Sequence, residues 1–234
     1  MGVKSDKVIE SCIKGIIFDF NGTLFWDSEQ QELAWRSFAK EMIHREISDM
    51  EFQEYIHGRS NASIFEYLFG KPLPQEELFK LAEKKEELYR QLCVDQLSFQ
   101  LAPGATELLD YLKAGNIPRA IATASGKTNV DFYIHRLELE RWFSYDTIIY
   151  NDGSVPGKPA PDIYIKAAQA INAAPRDCIV FEDAISGIRA ANAAGIGKII
   201  AVASKGEQEY FKDMKEIYAV ISNYNEFLIY LLHR

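Results

Sequence analysis

The chain has 234 residues, of which 47% are hydrophobic and 26% charged, a balance that excludes disordered, collagenous and disulfide-scaffold classes and allows a full buried core. Acidic side chains number 34 against 26 basic ones, and the resulting net charge of −8 disfavours a nucleic-acid binder, which needs a basic face. Cys12, Cys93 and Cys178 lie far apart, are odd in number and lack metal-ligand spacing, so they read as reduced thiols. The first ten residues mix Lys4, Asp6, Lys7 and Glu10 without an apolar signal core, and no run approaches the ~18 apolar residues of a membrane span. A cytoplasmic protein without a membrane partner is expected.

In chain order, residues 13–20 predict a first buried strand, a short run rich in Ile and Phe. Residues 29–45, 49–56, 61–69 and 75–91 then predict helices, with apolar residues three and four apart and no convincing strand among them. Phe65, Tyr67, Phe69 and Phe79 are expected in the core of this helical segment. The charged run 83–87, with Lys84 and Lys85, reads as a solvated face. Strand-length runs return at residues 117–123, 145–150, 178–181, 198–203 and 218–222, and helical patterns at 104–114, 129–137, 161–171, 184–194 and 224–232. Strands alternating with helices predict an α/β fold, a doubly wound and mostly parallel sheet covered on both faces. The expected division is a core of residues 1–27 and 102–234 and an inserted helical domain of residues 28–101, with Pro and Gly marking the second crossing.

Four places in this plan carry chemistry. The first strand ends in Asp19-Phe20-Asn21-Gly22-Thr23-Leu24, and a lone carboxylate there is costly unless something pairs with it, although Asn-Gly is also a turn signal. The fourth strand ends in Glu182-Asp183, on the same sheet edge as Asp19, where Asp183 also suits a helix N-cap. Two acidic patches on one edge suggest a hard cation such as Mg2+, held by oxygens. Thr123-Ala124-Ser125 ends the second strand with hydroxyls and backbone N–H groups just before a helix, which makes either an anion site or a plain turn. Lys158 lies in Gly157-Lys158-Pro159-Ala160-Pro161-Asp162, where prolines stiffen the loop and can aim one cation inward, the alternative being an exposed lysine.

Taken together, this order resembles the haloacid dehalogenase (HAD) superfamily of phosphotransferases, whose core is a Rossmann-like sheet. Residues 19–24 resemble its first motif, Thr123 its second, Lys158 its third and Glu182-Asp183 its fourth. The helical insertion is similar to the small cap of the β-phosphoglucomutase-like branch, and His57-Gly58-Arg59-Ser60-Asn61 resembles that branch's substrate-reading loop. The resemblance implies nucleophilic catalysis by Asp19 through an aspartyl-phosphate. It implies Mg2+ held by Asp19, the Asn21 backbone carbonyl and Asp183 with Glu182 close by, and phosphoryl oxygens held by Thr123, Ala124 and Ser125. Lys158 would neutralise charge between nucleophile and phosphoryl group. His57, Gly58, Arg59 and Asn61 would meet a small phosphorylated metabolite, and the protein is expected to be a monomer. Lys84 or Lys85 also resembles a family lysine that faces the site.

The chain departs from the family in three places. The family's acid–base Asp is replaced by Asn21, which can hydrogen-bond but cannot exchange a proton at neutral pH. Phe25 and Trp26 stand between Leu24 and Asp27-Ser28, where the family more often has one residue, and Asp27, Glu32 or His57 is a candidate for the missing acid. Asn61 stands where the branch's mutase has an Arg that grips a distal phosphate, with Arg59 nearby. The favoured reading is therefore a Mg2+-dependent phosphatase of a sugar phosphate. A sugar phosphomutase and a weakened phosphometabolite-binding protein are the alternatives.

Overall fold

A computed structural model describes residues 13–56, 59, 61–95, 99–204 and 208–232. The chain divides into two compact units, with the crossings at Trp26–Asp27 and Phe99–Gln100.

The unit from Asp27 to Phe99 is helical. It contains α1 (Ser28–Ile43), α2 (Asp49–Glu51) running into a π-helical turn (Phe52–Ile56), α3 (Asn61–Phe69) and α4 (Gln75–Asp95). Trp35, Phe38 and Ala39 lie three and four residues apart on α1 and meet Phe52, Ile64, Phe65 and Leu68 in one core. Trp35 and Phe38 meet Phe65 edge-on at centroid distances of 5.2 and 5.3 Å, a favoured aromatic geometry. The chain leaves α1 through a left-handed His44 (φ 52°), and a reciprocal Ser48–Glu51 capping box starts α2. Phe79 is a correction to the expected core: it is 67% exposed. On α4 the buried stripe runs through Leu78, Leu81, Ala82, Lys85 and Tyr89, and Phe79 lies one position off it, on the outer face.

Among the described residues the other unit holds six strands: β1 (Gly15–Phe18), β2 (Arg119–Gly126), β3 (Ile148–Asn151), β4 (Cys178–Glu182), β5 (Lys198–Val202) and β6 (Ala219–Ile221). They form one sheet in the order β3-β2-β1-β4-β5-β6, with every neighbouring pair parallel. The helices are α5 (Ala105–Ala114), α6 (Lys127–Arg136), α7 (Asp162–Ala170), α8 (Ile185–Ala193), α9 (Gln208–Phe211) and α10 (Tyr224–Leu232). Successive strand residues face opposite sides. Ile17, Cys178, Val180 and Ile199 pack with Ile163, Tyr164, Ala167 and Ile188 of α7 and α8 on one side. On the other, Phe18 stacks on Phe181 at 5.2 Å, and Phe181 meets Tyr224 and Phe227 of α10 at 5.3 and 5.0 Å. Residues 145–147, expected within the third strand, form a 3-10 turn that leads into β3.

The strand order reverses between β1 and β4, and the crevice beyond the carboxyl ends of such a pair is where ligands bind in doubly wound sheets. Cys93 and Cys178 are free and buried. No helix among the described residues is long and apolar enough to cross a membrane. Phe181 joins both β1 and α10, so Phe181→Ala should cost about 3–5 kcal/mol in urea unfolding. A loss under about 1 kcal/mol would contradict this packing.

Candidate active site

Four fully buried residues of β1 deliver the chain to Asp19, whose backbone N–H donates to the Phe181 carbonyl at 2.9 Å. Phe18 pairs with Phe181 in register, so the residues that follow, Asp19 and Glu182, emerge side by side at the sheet edge. Lys158 lies between them. Its ammonium donates to Asp19 Oδ1 at 2.5 Å and to Glu182 Oε1 at 3.0 Å, and its side chain is only 8% exposed. The exposed-lysine alternative is therefore excluded. The ammonium also lies 5.0 Å from the centre of the Tyr164 ring.

Glu182 is held from both ends. Its Oε2 accepts the N–H groups of Asp183 and Ala184 at 2.8 and 3.2 Å, while Oε1 takes Lys158. A Cβ at Gly187 would fall on the Glu182 carboxylate, so only glycine fits there. Asp183 accepts from the Thr23 hydroxyl at 2.9 Å. It lies against Gly22, which has φ 81° and whose absent Cβ leaves room for that carboxylate. The Ile185–Ala193 helix receives no side-chain cap, so Asp183 does not act as the N-cap.

Asp19, Glu182 and Asp183 each bring a carboxylate oxygen within 4.8 Å of the others, a grouping that can hold a metal ion. Three carboxylates face one ammonium, so two negative charges are left over when all are ionised. Burial and the Glu182 charge push the Asp19 carboxyl up to about 7, against the pull of Lys158. Burial and the charges of Glu182 and Asp19 push Asp183 up too. Burial alone would lower the Lys158 ammonium, but the charges of Asp19 and Glu182 hold it well above the ordinary lysine value. An all-oxygen donor set with excess negative charge suits a hard divalent cation.

Thr123, Ala124 and Ser125 lie on the same sheet edge. β2 does not end at Thr123 but runs on to Gly126, with a register shift against β3 after Ala122. Thr123 is buried and Ala124 exposed. The Ser125 N–H, expected to be free, donates to Thr123 Oγ1 at 3.1 Å. The Asn21 carboxamide reaches this segment: Oδ1 accepts from Ser125 Oγ at 2.8 Å and from Thr123 Oγ1 at 3.4 Å, and Nδ2 donates to the Tyr133 hydroxyl at 3.0 Å.

The remaining expected residues lie in the helical unit. His57 and Gly58 fall outside the described residues. Arg59 is exposed and donates to the Glu54 carbonyl at 3.4 Å, and Asn61 opens α3. Asp27 is buried and accepts from Tyr89 at 2.5 Å and Gln31 at 3.1 Å, while Glu32 accepts from Arg36 at 2.7 Å. Both carboxylates offered for the missing acid are thus engaged within their own unit. Lys84 is exposed, but Lys85 corrects the reading of a solvated face. It is 2% exposed, pairs with Glu86 at 2.5 Å, donates to Gln31 at 3.1 Å and lies 5.0 Å from the centre of the Trp35 ring.

The sequence reading missed Thr23, Gly187, Tyr133 and Tyr164 as parts of this site. Thr23 lay within the first motif, and Gly187 four residues past Asp183. Tyr133 and Tyr164 sit at helical positions that resemble core aromatics. Gly187→Ala should push Glu182 off Lys158 and cut turnover by roughly ten-fold or more through misplacement alone. Activity equal to the parent would contradict the contact.

Residues 13–195 match the profile of a hydrolase family described as haloacid dehalogenase-like hydrolase. A phosphorylated carbohydrates phosphatase of Thermotoga maritima is 28% identical over 197 residues, covering 81% of this chain and 85% of that protein. The β-phosphoglucomutase of Bacillus subtilis is 32% identical over 193 residues, covering 79% and 81%. Among solved structures, a HAD hydrolase of family IA, variant 3, from Entamoeba histolytica matches with a TM-score of 0.87 at 39% identity, covering 92% of this chain and 95% of that one. With its six-stranded parallel sheet and an acidic cluster at the switch point, the chain belongs to the haloacid dehalogenase-like hydrolase family.

Proposed function

We propose that this phosphatase-class enzyme hydrolyses a small phosphorylated metabolite, a sugar phosphate, through an aspartyl-phosphate on Asp19 and with Mg2+ at the acidic cluster. The observation that carries the reading is the buried Lys158 ammonium, 2.5 Å from Asp19 Oδ1 and backed by Glu182. That contact orients the carboxylate and favours its charged form, against burial and the Glu182 charge, beside an ammonium that can also meet a phosphoryl oxygen. The Thermotoga relative, named for phosphorylated carbohydrates, supports the substrate class.

Asp19, the Asn21 backbone carbonyl and Asp183 would hold the metal, with Glu182 beside them as the anchor of Lys158. When bound, Mg2+ supplies charge neutralisation to the transferring phosphoryl group. In the first half-reaction an Asp19 carboxylate oxygen bonds to phosphorus and the bond to the ester oxygen breaks, the leaving oxygen taking its proton from solvent. Thr123, Ala124 and Ser125 would receive phosphoryl oxygens. In the second, water attacks phosphorus, the bond to Asp19 breaks, and inorganic phosphate and free carboxylate result. Asn21 can neither protonate the leaving oxygen nor take the water's proton. Poor leaving groups are therefore cleaved slowly. The helical unit would serve as the cap, with Arg59 and Asn61 in its substrate-reading segment.

p-Nitrophenolate leaves without needing a proton, so p-nitrophenyl phosphate reports on the nucleophile and metal alone. The chain should release it with Mg2+ and not in EDTA, and Asp19→Asn should abolish release. Asn21→Asp should raise sugar-phosphate turnover by about 10²-fold or more, the usual worth of a placed acid–base. Release that persists in EDTA or in Asp19→Asn would overturn the mechanism. A strict need for a sugar bisphosphate would favour a mutase instead.

A further inference from the structure

Asn21 has replaced an acid, and its amide contacts suggest a second role. Oδ1 takes the hydroxyl protons of both Ser125 and Thr123, at 2.8 and 3.4 Å. These are the side-chain donors assigned above to a phosphoryl oxygen. The Ser125 N–H is also turned inward, onto Thr123 Oγ1 at 3.1 Å. An amide oxygen thus stands where an anion's oxygen would accept.

The amide is gripped from its other end. Nδ2 can only donate, so the oxygen of Tyr133 is its acceptor, at 3.0 Å. Tyr133 is 1% exposed, and its ring stacks on Phe20 at 4.6 Å. Phe20 and Asn21 are neighbours in the first-motif turn, so Tyr133 holds that turn by its ring and the amide by its hydroxyl.

We propose that the Asn21 side chain is the resting occupant of its own anion site and that Tyr133 is the positioning residue that keeps it there. This rests on the reading of Thr123–Ser125 as the phosphoryl-binding segment. Phosphate binds only when Asn21 turns away, so the apparent dissociation constant is the intrinsic one divided by the fraction of open molecules. Removing the Tyr133 hydroxyl leaves the ring packing and deletes the neutral Asn21–Tyr133 hydrogen bond from the closed form. A bond of that kind is worth roughly 3- to 10-fold in an equilibrium.

The experiment is calorimetric titration of inorganic phosphate, in the presence of Mg2+, into the parent chain, Tyr133→Phe and Asn21→Ala. Phosphate should bind Tyr133→Phe about 3- to 10-fold more tightly, and Asn21→Ala more tightly still. The KM for p-nitrophenyl phosphate should fall by the same factor in Tyr133→Phe, a gain that structural damage does not produce. Equal or weaker binding by both variants, with the parent still binding phosphate, would overturn the latch and leave the anion site standing. Absence of phosphate binding in all three proteins would remove the anion site and the latch with it.

Discussion

Three carboxylates, Asp19, Glu182 and Asp183, are drawn together at the edge of a buried parallel sheet, with the ammonium of Lys158 set against two of them. Charges taken out of water are costly unless paired and hydrogen-bonded. The surrounding elements meet that requirement from several directions. The in-register pairing of Phe18 with Phe181 places Asp19 beside Glu182. Two N–H groups of the β4–α8 turn fix Glu182, Gly187 leaves space for it, and Thr23 steadies Asp183. Tyr164 of α7, packed against the sheet, gives the ammonium an aromatic wall. What remains is an excess of negative charge on an oxygen-only donor set, the condition a divalent cation relieves.

The geometry of the Thr123–Ser125 segment follows from the same layout. The strand that carries Thr123 continues to Gly126, so Ser125 lies next to its last residue at the sheet edge, just ahead of α6. Its hydroxyl, the Thr123 hydroxyl and the Asn21 amide form one connected set. The Asn21 amide is thus tied to the hydroxyls of this segment as well as to Tyr133. A carboxylate at that position would accept from both Ser125 and Tyr133, whereas the amide must donate to one and accept from the other. That polarity holds the side chain between Ser125 and Tyr133.

Much of the fold was legible because buried parallel strands leave short apolar runs. Residues 13–20 and 178–181 are such runs; Asp19 lies within the first and Glu182 directly follows the second, and the structure places both at the switch point. Lys158 was not decidable from the residues alone, since a loop lysine next to prolines looks the same whether it faces solvent or a carboxylate. Lys85 misled for a related reason. It belongs to a charged run, but its position continues the buried stripe of α4, and Trp35, Gln31 and Glu86 accommodate the ammonium. Thr123 was expected at a strand end, but pairing with β3 resumes at Gly126 after the shift, a tertiary event without a local sequence mark. The Tyr133–Asn21 bond joins residues 112 positions apart, beyond the reach of any local pattern.

In the proposed function Asp19 forms the covalent bond to phosphorus and Asn21 leaves that bond slow to hydrolyse. The direct measurement is rapid acid quenching of the enzyme with Mg2+ and p-nitrophenyl phosphate, followed by mass analysis of the peptide that spans Asp19. That peptide should gain the mass of one phosphoryl group, a gain absent from Asp19→Asn and smaller in Asn21→Asp. A chain that turns substrate over without labelling Asp19 would contradict it.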